Sequence, residues 1–182
     1  MGTSKQNRVI AAVHTKEEFE SAVKSGVGII FHLGPDLHTI EQMAKTAHEN
    51  GKRFFVHLDL ATGIGKDKSG ILYTKNAGVD GIISTRANII KAARECKVFT
   101  VQRFFAVDSK SVDTTVEAVR SAKADMIEIM PGVLTKVIKK LCKLVNVPII
   151  AGGLIDSAEE IEDILSNGAT AVSTSREELW DF

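Results

Sequence analysis

The sequence predicts a compact (β/α)8 barrel of the TIM type, with short helices and short loops. The first reason is that eight short apolar segments alternate with seven amphipathic segments along all 182 residues. The second reason is that no linker or low-complexity stretch interrupts this alternation, so one barrel domain over residues 1–182 is expected. Because such barrels usually need about 200 residues or more, a doubly wound open sheet is the alternative.

Each predicted element follows from its local pattern. The strands are short, apolar and rich in branched side chains, as in sheets buried on both faces. They are Val9–Val13, Val27–Leu33, Phe54–Leu58, Gly81–Ser84, Val98–Phe104, Met126–Ile129, Val147–Ala151 and Thr170–Ser173. The amphipathic segments repeat apolar residues at helical spacing. They are Lys16–Ser25, Leu37–Asn50, Lys66–Asn76, Arg86–Cys96, Ser109–Ser121, Val133–Val145 and Ser157–Asn167, with a short helical segment after Ser175.

Two pairs of similar segments indicate a weak internal repeat. Thr15 and Ser157 each precede a Glu by three residues, and each helix-like stretch that follows ends at a Gly. This spacing is typical of helices with a capping box. Residues 78–86 also resemble residues 168–176, because each is a strand followed by hydroxyl-bearing residues and an Arg. The two halves of the chain are therefore expected to share a strand and its exit loop.

The segment from Pro148 to Trp180 predicts a phosphate-binding site. Gly152 and Gly153 form a turn whose backbone N–H groups can approach an anion closely, because glycine has no Cβ. The loop after the last strand offers further donors at Ser173, Thr174 and Ser175, just before a short helical segment. In a β/α barrel both loops lie at the carboxyl end of the strands, where ligands bind. The alternative is that the glycines form only a tight turn and the hydroxyls only a helix cap.

Polar residues at the ends of other strands are candidates for the rest of that ligand. Asp59 follows the third strand, Arg103 lies near the end of the fifth and Glu128 lies within the sixth. The carboxylates could bind ligand hydroxyls, and Arg103 could neutralise a phosphate. A structural ion pair between Arg103 and Glu128 is an equally good interpretation. Lys66 follows Asp59 closely enough to reach the same opening, although such a Lys is more often solvated.

The histidines and cysteines favour neither a metal site nor disulfides. His14, His32 and His57 lie at or near the ends of the first three strands, but they lack the close spacing of metal ligands. No metal is therefore expected, and hydrogen-bonded structural or pocket-lining imidazoles are the better interpretation. Cys96 and Cys142 fall in helix-like segments, and no signal peptide precedes them, which favours reduced thiols and a cytoplasmic protein.

Composition excludes several classes of partner. The 23 Lys and Arg residues balance 23 Asp and Glu residues, so no overall field directs the protein to nucleic acid or lipid, and any such contact must be local. The longest apolar runs have the length of strands, which excludes a membrane-spanning helix. A homo-oligomer is compatible with the sequence, which does not fix the number of copies.

The chain resembles the glycerol uptake operon antiterminator regulatory proteins. The resemblance covers nearly the whole chain and is densest after Gly78. It is carried by Gly81-Ile-Ile-Ser-Thr-Arg86, Gln102-Arg-Phe-Phe105, Asp108-Ser109, Ile127-Glu-Ile-Met-Pro-Gly132, Pro148-Ile-Ile-Ala-Gly-Gly-Leu-Ile155 and Ala171-Val-Ser-Thr-Ser-Arg-Glu-Glu-Leu-Trp180. It implies a β/α barrel of the bacterial cytoplasm that binds glycerol-3-phosphate and then acts on leader mRNA to prevent premature termination. Where the family often has an acidic residue shortly after the Asp59 position, this chain has Ala61-Thr62-Gly63.

A basic helix face is the candidate RNA surface that this resemblance requires. Within Val133–Val145, four lysines recur at three- and four-residue spacing, while apolar residues can form the buried side. The lysines are Lys136, Lys139, Lys140 and Lys143; the next candidates are Lys91, Arg94 and Lys97. A solvated outer face of a barrel helix is the competing interpretation.

An enzyme is the alternative to a regulator. The same opening could support isomerase or aldolase chemistry on a small sugar phosphate, with Glu128 or Asp59 as base and Lys66 or Arg103 as electrophile. The fold class alone does not separate the two. The resemblance favours the regulator, for which glycerol-3-phosphate is an effector and no catalytic residue or cofactor is expected.

Overall fold

Residues 8–182, described by a computed structural model, form a closed barrel of eight parallel strands. Each strand pairs with the next in chain order, and the last pairs with the first. The strands are β1 (Val9–Val13), β2 (Ile29–His32), β3 (Arg53–His57), β4 (Gly81–Ser84), β5 (Phe99–Phe105), β6 (Met126–Met130), β7 (Ile149–Gly152) and β8 (Ala171–Thr174). The predicted (β/α)8 barrel is confirmed, and the open sheet is excluded because β1 and β8 close the ring.

Helices alternate with the strands and cover the outside of the barrel. They are α1 (Lys16–Lys24), α2 (Ile40–Glu49), α3 (Lys68–Asn76), α4 (Ala87–Glu95), α5 (Ser109–Ala122), α6 (Thr135–Leu141) and α7 (Ala158–Ser166). Two 3₁₀ turns, Leu58–Leu60 and Glu177–Leu179, follow β3 and β8. At seven to fourteen residues these helices are short, which is how the barrel closes within this chain length.

Six of the seven helices are shorter than the sequence predicts, and three of them begin two or more residues after the predicted start. The helix expected from Leu37 begins at Ile40, because Asp36 and the residues after it form a turn. The helix expected from Lys66 begins at Lys68, because the Asp67 side chain caps it. The helix expected over Val133–Val145 is only Thr135–Leu141, so Lys143 lies in the turn that follows it.

The expected helix caps are confirmed. In α1 the Thr15 hydroxyl accepts from the Glu18 N–H, while the Glu18 carboxylate accepts from the Thr15 N–H. Ser157 and Glu160 form the same reciprocal pair at the start of α7. Each box satisfies two N–H groups that the first helical turn leaves unpaired.

The strand register divides the core into two parts. Alternate residues face the helices, where a large apolar layer packs between sheet and helices. The other residues face the barrel axis, where a second apolar cluster fills the lower and middle interior. This inner cluster consists of Ile10, Phe31, Phe55, Ile83, Val101 and Ile150. Above it, toward the carboxyl ends of the strands, the inward residues become polar, and these form the candidate site.

Candidate functional site

A buried polar layer closes the top of the barrel interior. Glu128 on β6 is fully buried, and each of its carboxylate oxygens accepts one hydrogen bond. The Arg103 Nε donates to Oε2 at 2.6 Å, and the Ser173 hydroxyl donates to Oε1 at 2.6 Å. The register explains the first contact, because Arg103 and Glu128 are cross-strand partners on β5 and β6. The structural ion pair that the sequence allowed is therefore present, and the carboxylate is satisfied by the protein itself.

Arg103 retains hydrogen-bonding capacity beyond this pair. Among residues 8–182 its terminal nitrogens Nη1 and Nη2 donate no hydrogen bond, and the residue is 7% exposed. A guanidinium has five N–H donors in a fixed fork, so the remaining donors can serve a ligand. Arg103 thus connects the buried carboxylate to the barrel opening.

The turn after β7 presents unpaired backbone amides. Gly153 and Leu154 both have positive φ angles, +78° and +58°. Leu in this conformation is strained by about 1–2 kcal/mol, and strain of this kind concentrates at functional sites. Among the described residues, the N–H groups of Gly153, Leu154 and Ile155 donate no hydrogen bond. The turn therefore has three consecutive N–H groups without a partner among residues 8–182.

The loop after β6 holds this turn in place. The Gly132 N–H donates to the Gly152 carbonyl at 2.6 Å and to the Gly153 carbonyl at 3.1 Å. A Cβ at Gly152 would lie 2.6 Å from the Glu128 Oε1, and one at Gly153 would lie 2.7 Å from the Met130 Cε. Gly152 is thus required by packing, and Gly153 by its positive φ. The two motifs of residues 127–132 and 148–155 form one structural unit.

The exit of β8 supplies donors, although not the expected ones. The Ser173 hydroxyl is bound to Glu128, and the Thr174 hydroxyl donates to the Ile155 carbonyl at 3.1 Å and accepts from the Arg176 N–H. Neither hydroxyl is free for a phosphate. Among residues 8–182, the Ser175 N–H and hydroxyl make no hydrogen bond. The segment after Ser175 is one 3₁₀ turn that carries Glu177 and Glu178, so it is not the electropositive helix start expected from the sequence.

The loop after β4 also carries hydroxyl and N–H donors, and there they already bind a carboxylate of the protein, that of Asp59. The Asp59 carboxylate accepts from the Ser84 hydroxyl at 2.7 Å, the Thr85 N–H at 2.8 Å and the Thr85 hydroxyl at 2.9 Å. The Arg86 Nε also donates to it at 3.2 Å. Burial alone would raise the pKa of Asp59, but the hydrogen bonds from Ser84 and Thr85 outweigh it and lower the pKa below its ordinary value. Asp59 is therefore an ionised support for its own loops.

The exits of β4 and β8 correspond residue by residue, but they differ in how a carboxylate is bound. The internal repeat pairs Thr85 with Ser175 and Arg86 with Arg176, and in each exit a hydroxyl accepts from the Arg N–H. His57 is the register partner of Ile83, and Gly152 is that of Ser173. Asp59 lies two residues after His57, whereas Leu154 lies two residues after Gly152. The carboxylate at the β8 exit is Asp156, which accepts from the Arg176 Nε at 2.8 Å. Among residues 8–182 neither Asp156 nor another carboxylate accepts from the Ser175 N–H, which remains open to an external anion.

Lys66 supports its own loop. Its ammonium donates to the Ala61 carbonyl and to the Ile64 carbonyl, the latter at 2.9 Å. Burial and the nearby Arg86 lower its pKa. The group is partly exposed, lies beside Asp59 and is held by the carbonyls of its own loop.

The three histidines do not converge. His14 is exposed, and His32 faces the helices, where its ring packs against Phe54. His57 faces the barrel interior, and burial, with a contribution from Arg103, lowers its pKa to about 4. Among residues 8–182, no group of three His, Cys, Asp or Glu side chains could hold a metal ion.

The sequence allowed His57 to be a pocket-lining imidazole but did not identify it as a site residue. Its Nδ1 is buried without a hydrogen-bond partner among the described residues. Gln102 Oε1 is the other such atom, but alternation places Gln102 on the helix-facing side of β5. The period-two pattern with Phe55 was the signal that could have placed His57 inside.

The four lysines near α6 are all exposed. Lys136, Lys139 and Lys140 lie on the helix, and Lys143 lies in the following turn. Within the described part of the chain none of them pairs with a carboxylate. Of the alternative basic residues, Arg94 pairs with Asp125 at 2.7 Å and Lys91 donates to the Ser121 hydroxyl. The α6 lysines are thus the less neutralised group.

A cavity lies at the opposite end of the barrel, at the amino ends of the strands. It has a volume of about 1030 Å³ and is lined mainly by the inner apolar cluster, with Arg8 and Asp181 at its edge. Its walls lack the open amides of the β7 and β8 exits. The polar chemistry of the molecule is therefore at the carboxyl end, where β/α barrels place their sites.

Comparison with known proteins assigns the chain to a family. Residues 9–180 match the model of the family described as glycerol-3-phosphate responsive antiterminator. The chain belongs to this family. Within residues 8–182, none of the helices combines the length and apolar character needed to cross a membrane.

Relatives of known structure support the assignment. A crystal structure of the glycerol uptake operon antiterminator regulatory protein from Listeria monocytogenes is 31% identical, with a TM-score of 0.90 over 99% of this chain and 97% of that one. A glycerol uptake operon antiterminator-related protein from Thermotoga maritima is 32% identical, with a TM-score of 0.85 over 96% and 98% of the two chains. The uncharacterized protein YgcP of Escherichia coli is 35% identical over 97% of this chain and 93% of its own length.

The barrel is also similar to that of enzymes. The deoxyribose phosphate aldolase of Aeropyrum pernix has a TM-score of 0.74 at 14% identity. At this level the likeness concerns the fold alone.

Proposed function

We propose that this protein is a glycerol-3-phosphate-responsive antiterminator that binds the leader mRNA of glycerol-utilisation genes in the cytoplasm. Family membership supports the class of function. The observation that carries the ligand proposal is the open amide at Ser175, because its counterpart at Thr85 already binds a carboxylate. A ligand phosphate would take at β8 the place that Asp59 takes at β4.

The phosphate lies, in this proposal, between the turn after β7 and the exit of β8. The donors are the N–H groups of Gly153, Leu154 and Ser175, with the Ser175 hydroxyl. Gly152 shapes the turn, while Ser173 and Thr174 hold the two loops in register through their hydroxyls. Backbone donors of this kind bind phosphate well without a dedicated cation.

The glycerol part points toward the barrel axis. The free Nη groups of Arg103 would donate to its hydroxyls, and Glu128 would hold Arg103 in position. Asp59 and Lys66 act as supports, since both are engaged by their own loops.

The proposed phosphate site is connected to helix α6 through the loop that contains Gly132. The Gly132 N–H contacts the carbonyls of Gly152 and Gly153, and α6 starts three residues after Gly132. A ligand that orders the turn after β7 therefore also acts on the loop before α6. The bound state would favour an α6 position that binds RNA better.

Charge distribution supports RNA contact on this side. Residues 86–143 carry twelve Lys and Arg against six Asp and Glu, a formal excess of six positive charges. Residues 156–182 carry one Arg against eight Asp and Glu, an excess of seven negative charges. A neutral chain thus has a basic region around α4 to α6, with Lys136, Lys139, Lys140 and Lys143 exposed within it.

The polar layer supports a sensor better than an enzyme. Both oxygens of Glu128 are occupied, so it is not a free base. Lys66 is held by backbone carbonyls, and within β1 to β8 no lysine faces the barrel axis to form a Schiff base. No bond need be made or broken for the ligand to act.

The proposal is tested by measuring leader-RNA affinity with and without saturating glycerol-3-phosphate. We expect the ligand to tighten RNA binding by about fivefold or more, the range of ordinary allosteric coupling. Ser175→Pro, which removes the amide, should abolish the effect of the ligand on RNA affinity. Ser175→Ala, which keeps the amide, is the control and should retain most of that effect. An RNA affinity independent of the ligand, or turnover of a triose phosphate by the wild type, would contradict the proposal.

A further inference from the structure

His57 faces the barrel interior and has a buried ring nitrogen without a hydrogen-bond partner among residues 8–182. It ends β3, faces the barrel axis and is 3% exposed. Within the described residues its Nδ1 has no hydrogen-bond partner. Its neighbours in the same layer are engaged, since Glu128 binds Arg103 and Ser173. A buried polar atom without a partner calls for a specific explanation.

His32 shows how this fold satisfies a buried imidazole that has only a structural role. It ends the adjacent strand β2 and is similarly buried, with a pKa also lowered by burial to about 4. Its Nδ1 accepts from the Gly34 N–H at 3.2 Å, and its ring packs edge-on against Phe54. Because His32 has a partner within residues 8–182 and the Nδ1 of His57 has none there, that atom is available to a ligand.

The position of His57 fits the far end of the proposed ligand. β3 and β7 are four strands apart in the closed ring of eight, so they lie on opposite walls. A phosphate at the exits of β7 and β8 directs the rest of its ligand across the axis toward β3. Arg103 on β5 lies between these walls with its terminal nitrogens free.

The charges around His57 determine which chemical group the ligand can carry at the end opposite its phosphate. Arg103, Asp59 and Glu128 all act on the imidazole electrostatically. With its pKa near 4, the ring is neutral at pH 7 and can donate or accept at Nδ1 according to its tautomer. A hydroxyl suits either tautomer. A second carboxylate on the ligand would meet Asp59 and Glu128 as like charges, and the positive charge of Arg103 that could offset them is already paired with Glu128.

We propose that His57, through Nδ1, binds a hydroxyl of the ligand opposite its phosphate and makes the site selective for phosphorylated polyols over phosphorylated carboxylic acids. This inference rests on the proposed function. It assigns His57 as a specificity-determining residue and identifies the ligand class by its uncharged hydroxyl end.

Calorimetry with three probes tests the assignment: glycerol-3-phosphate, 3-phosphoglycerate and inorganic phosphate. Wild type should prefer glycerol-3-phosphate to 3-phosphoglycerate. His57→Phe, which keeps a ring but no hydrogen-bonding atom, should weaken glycerol-3-phosphate binding about tenfold and leave inorganic phosphate unchanged. His57→Asn places an amide near the Nδ1 position and should restore most of the affinity. The matched control His32→Phe should bind like wild type.

The outcomes separate the two proposals. If wild type binds glycerol-3-phosphate and a folded His57→Phe binds it equally, the role of His57 is wrong while the proposed function stands. An equal loss for inorganic phosphate would mean that the ring only shapes the opening, which also overturns the role. If His57→Phe does not fold, His57→Gln, whose amide lies near the Nε2 position, should show the same tenfold loss relative to His57→Asn. Wild type that binds no phosphorylated polyol overturns the proposed function and this inference with it.

Discussion

The Arg103–Glu128 pair is a residue-level feature whose loss should be costly, because both groups are buried. Glu128→Gln leaves the Arg103 guanidinium without its counter-charge, so we expect a loss of about 3–5 kcal/mol in the free energy of unfolding. Urea denaturation measures it. The exposed pair of Arg176 and Asp156 is the control, and Asp156→Asn should lower the free energy of unfolding far less. Equal costs would show that the interior pair is solvated.

The turn after β7 gives a pair of substitutions with opposite signs. Gly153→Ala places a Cβ at φ +78° against the Met130 methyl, so it should destabilise the protein by about 1–2 kcal/mol. Leu154→Gly relieves the strain at φ +58° and should stabilise it by up to about 1 kcal/mol. Gly34→Ala, where the Cβ meets no atom within 4 Å, is the control. Thermal unfolding of the three variants decides, and a stabilising Gly153→Ala would contradict the account.

Residue roles were the part least accessible from sequence. The glycine turn and the pairing of Arg103 with Glu128 could be predicted, because glycine spacing and strand periodicity are local properties. The sequence could not predict that the Ser173 and Thr174 hydroxyls are already hydrogen-bonded. Their partners, Glu128 and Ile155, are distant in sequence or are placed by the turn geometry. The same holds for His57, whose unsatisfied atom appears only when the barrel closes.

At the scale of elements, α6 and the turn after it carry the RNA prediction. Lys139→Glu with Lys143→Glu should weaken leader-RNA binding and lower the slope of log affinity against log salt by about 1.4, for two lost contacts with single-stranded phosphates. Glycerol-3-phosphate affinity should be unchanged. Lys16→Glu with Lys45→Glu, at exposed positions on α1 and α2, is the control and should leave the slope unaltered. Equal effects of the two double variants would place the RNA surface elsewhere.

Element types were predictable from sequence, whereas their ends were not. All eight strands and seven helices follow the apolar periodicity, and the capping boxes at Thr15 and Ser157 fix two helix starts. The ends of α6 depend on tertiary contacts. Leu134 makes no side-chain cap, and the chain leaves the helix at Cys142, which places Lys143 outside it.

At the scale of the whole molecule, two buried histidines predict acid sensitivity. His32 and His57 have pKa values near 4 when folded and about 6.5 when unfolded, so the unfolded chain binds more protons as pH falls. Stability should therefore be complete above pH 6.5 and decline between pH 6.5 and 4, by up to about 3 kcal/mol for each histidine. Denaturation across this range measures the decline. The double variant His32→Phe and His57→Phe should flatten it, and an unchanged slope would contradict the burial of the neutral rings.

The barrel itself was predictable because closure requires only that eight strands and their helices follow in order. The location of the ligand is the claim that depends most on three-dimensional structure. A crystal structure with glycerol-3-phosphate tests it most directly. We predict the phosphate against the N–H groups of Gly153, Leu154 and Ser175, with the glycerol directed toward Arg103 and His57. A ligand bound instead in the apolar cavity at the amino-terminal end, or one that leaves the Ser175 amide unpaired, would contradict the account.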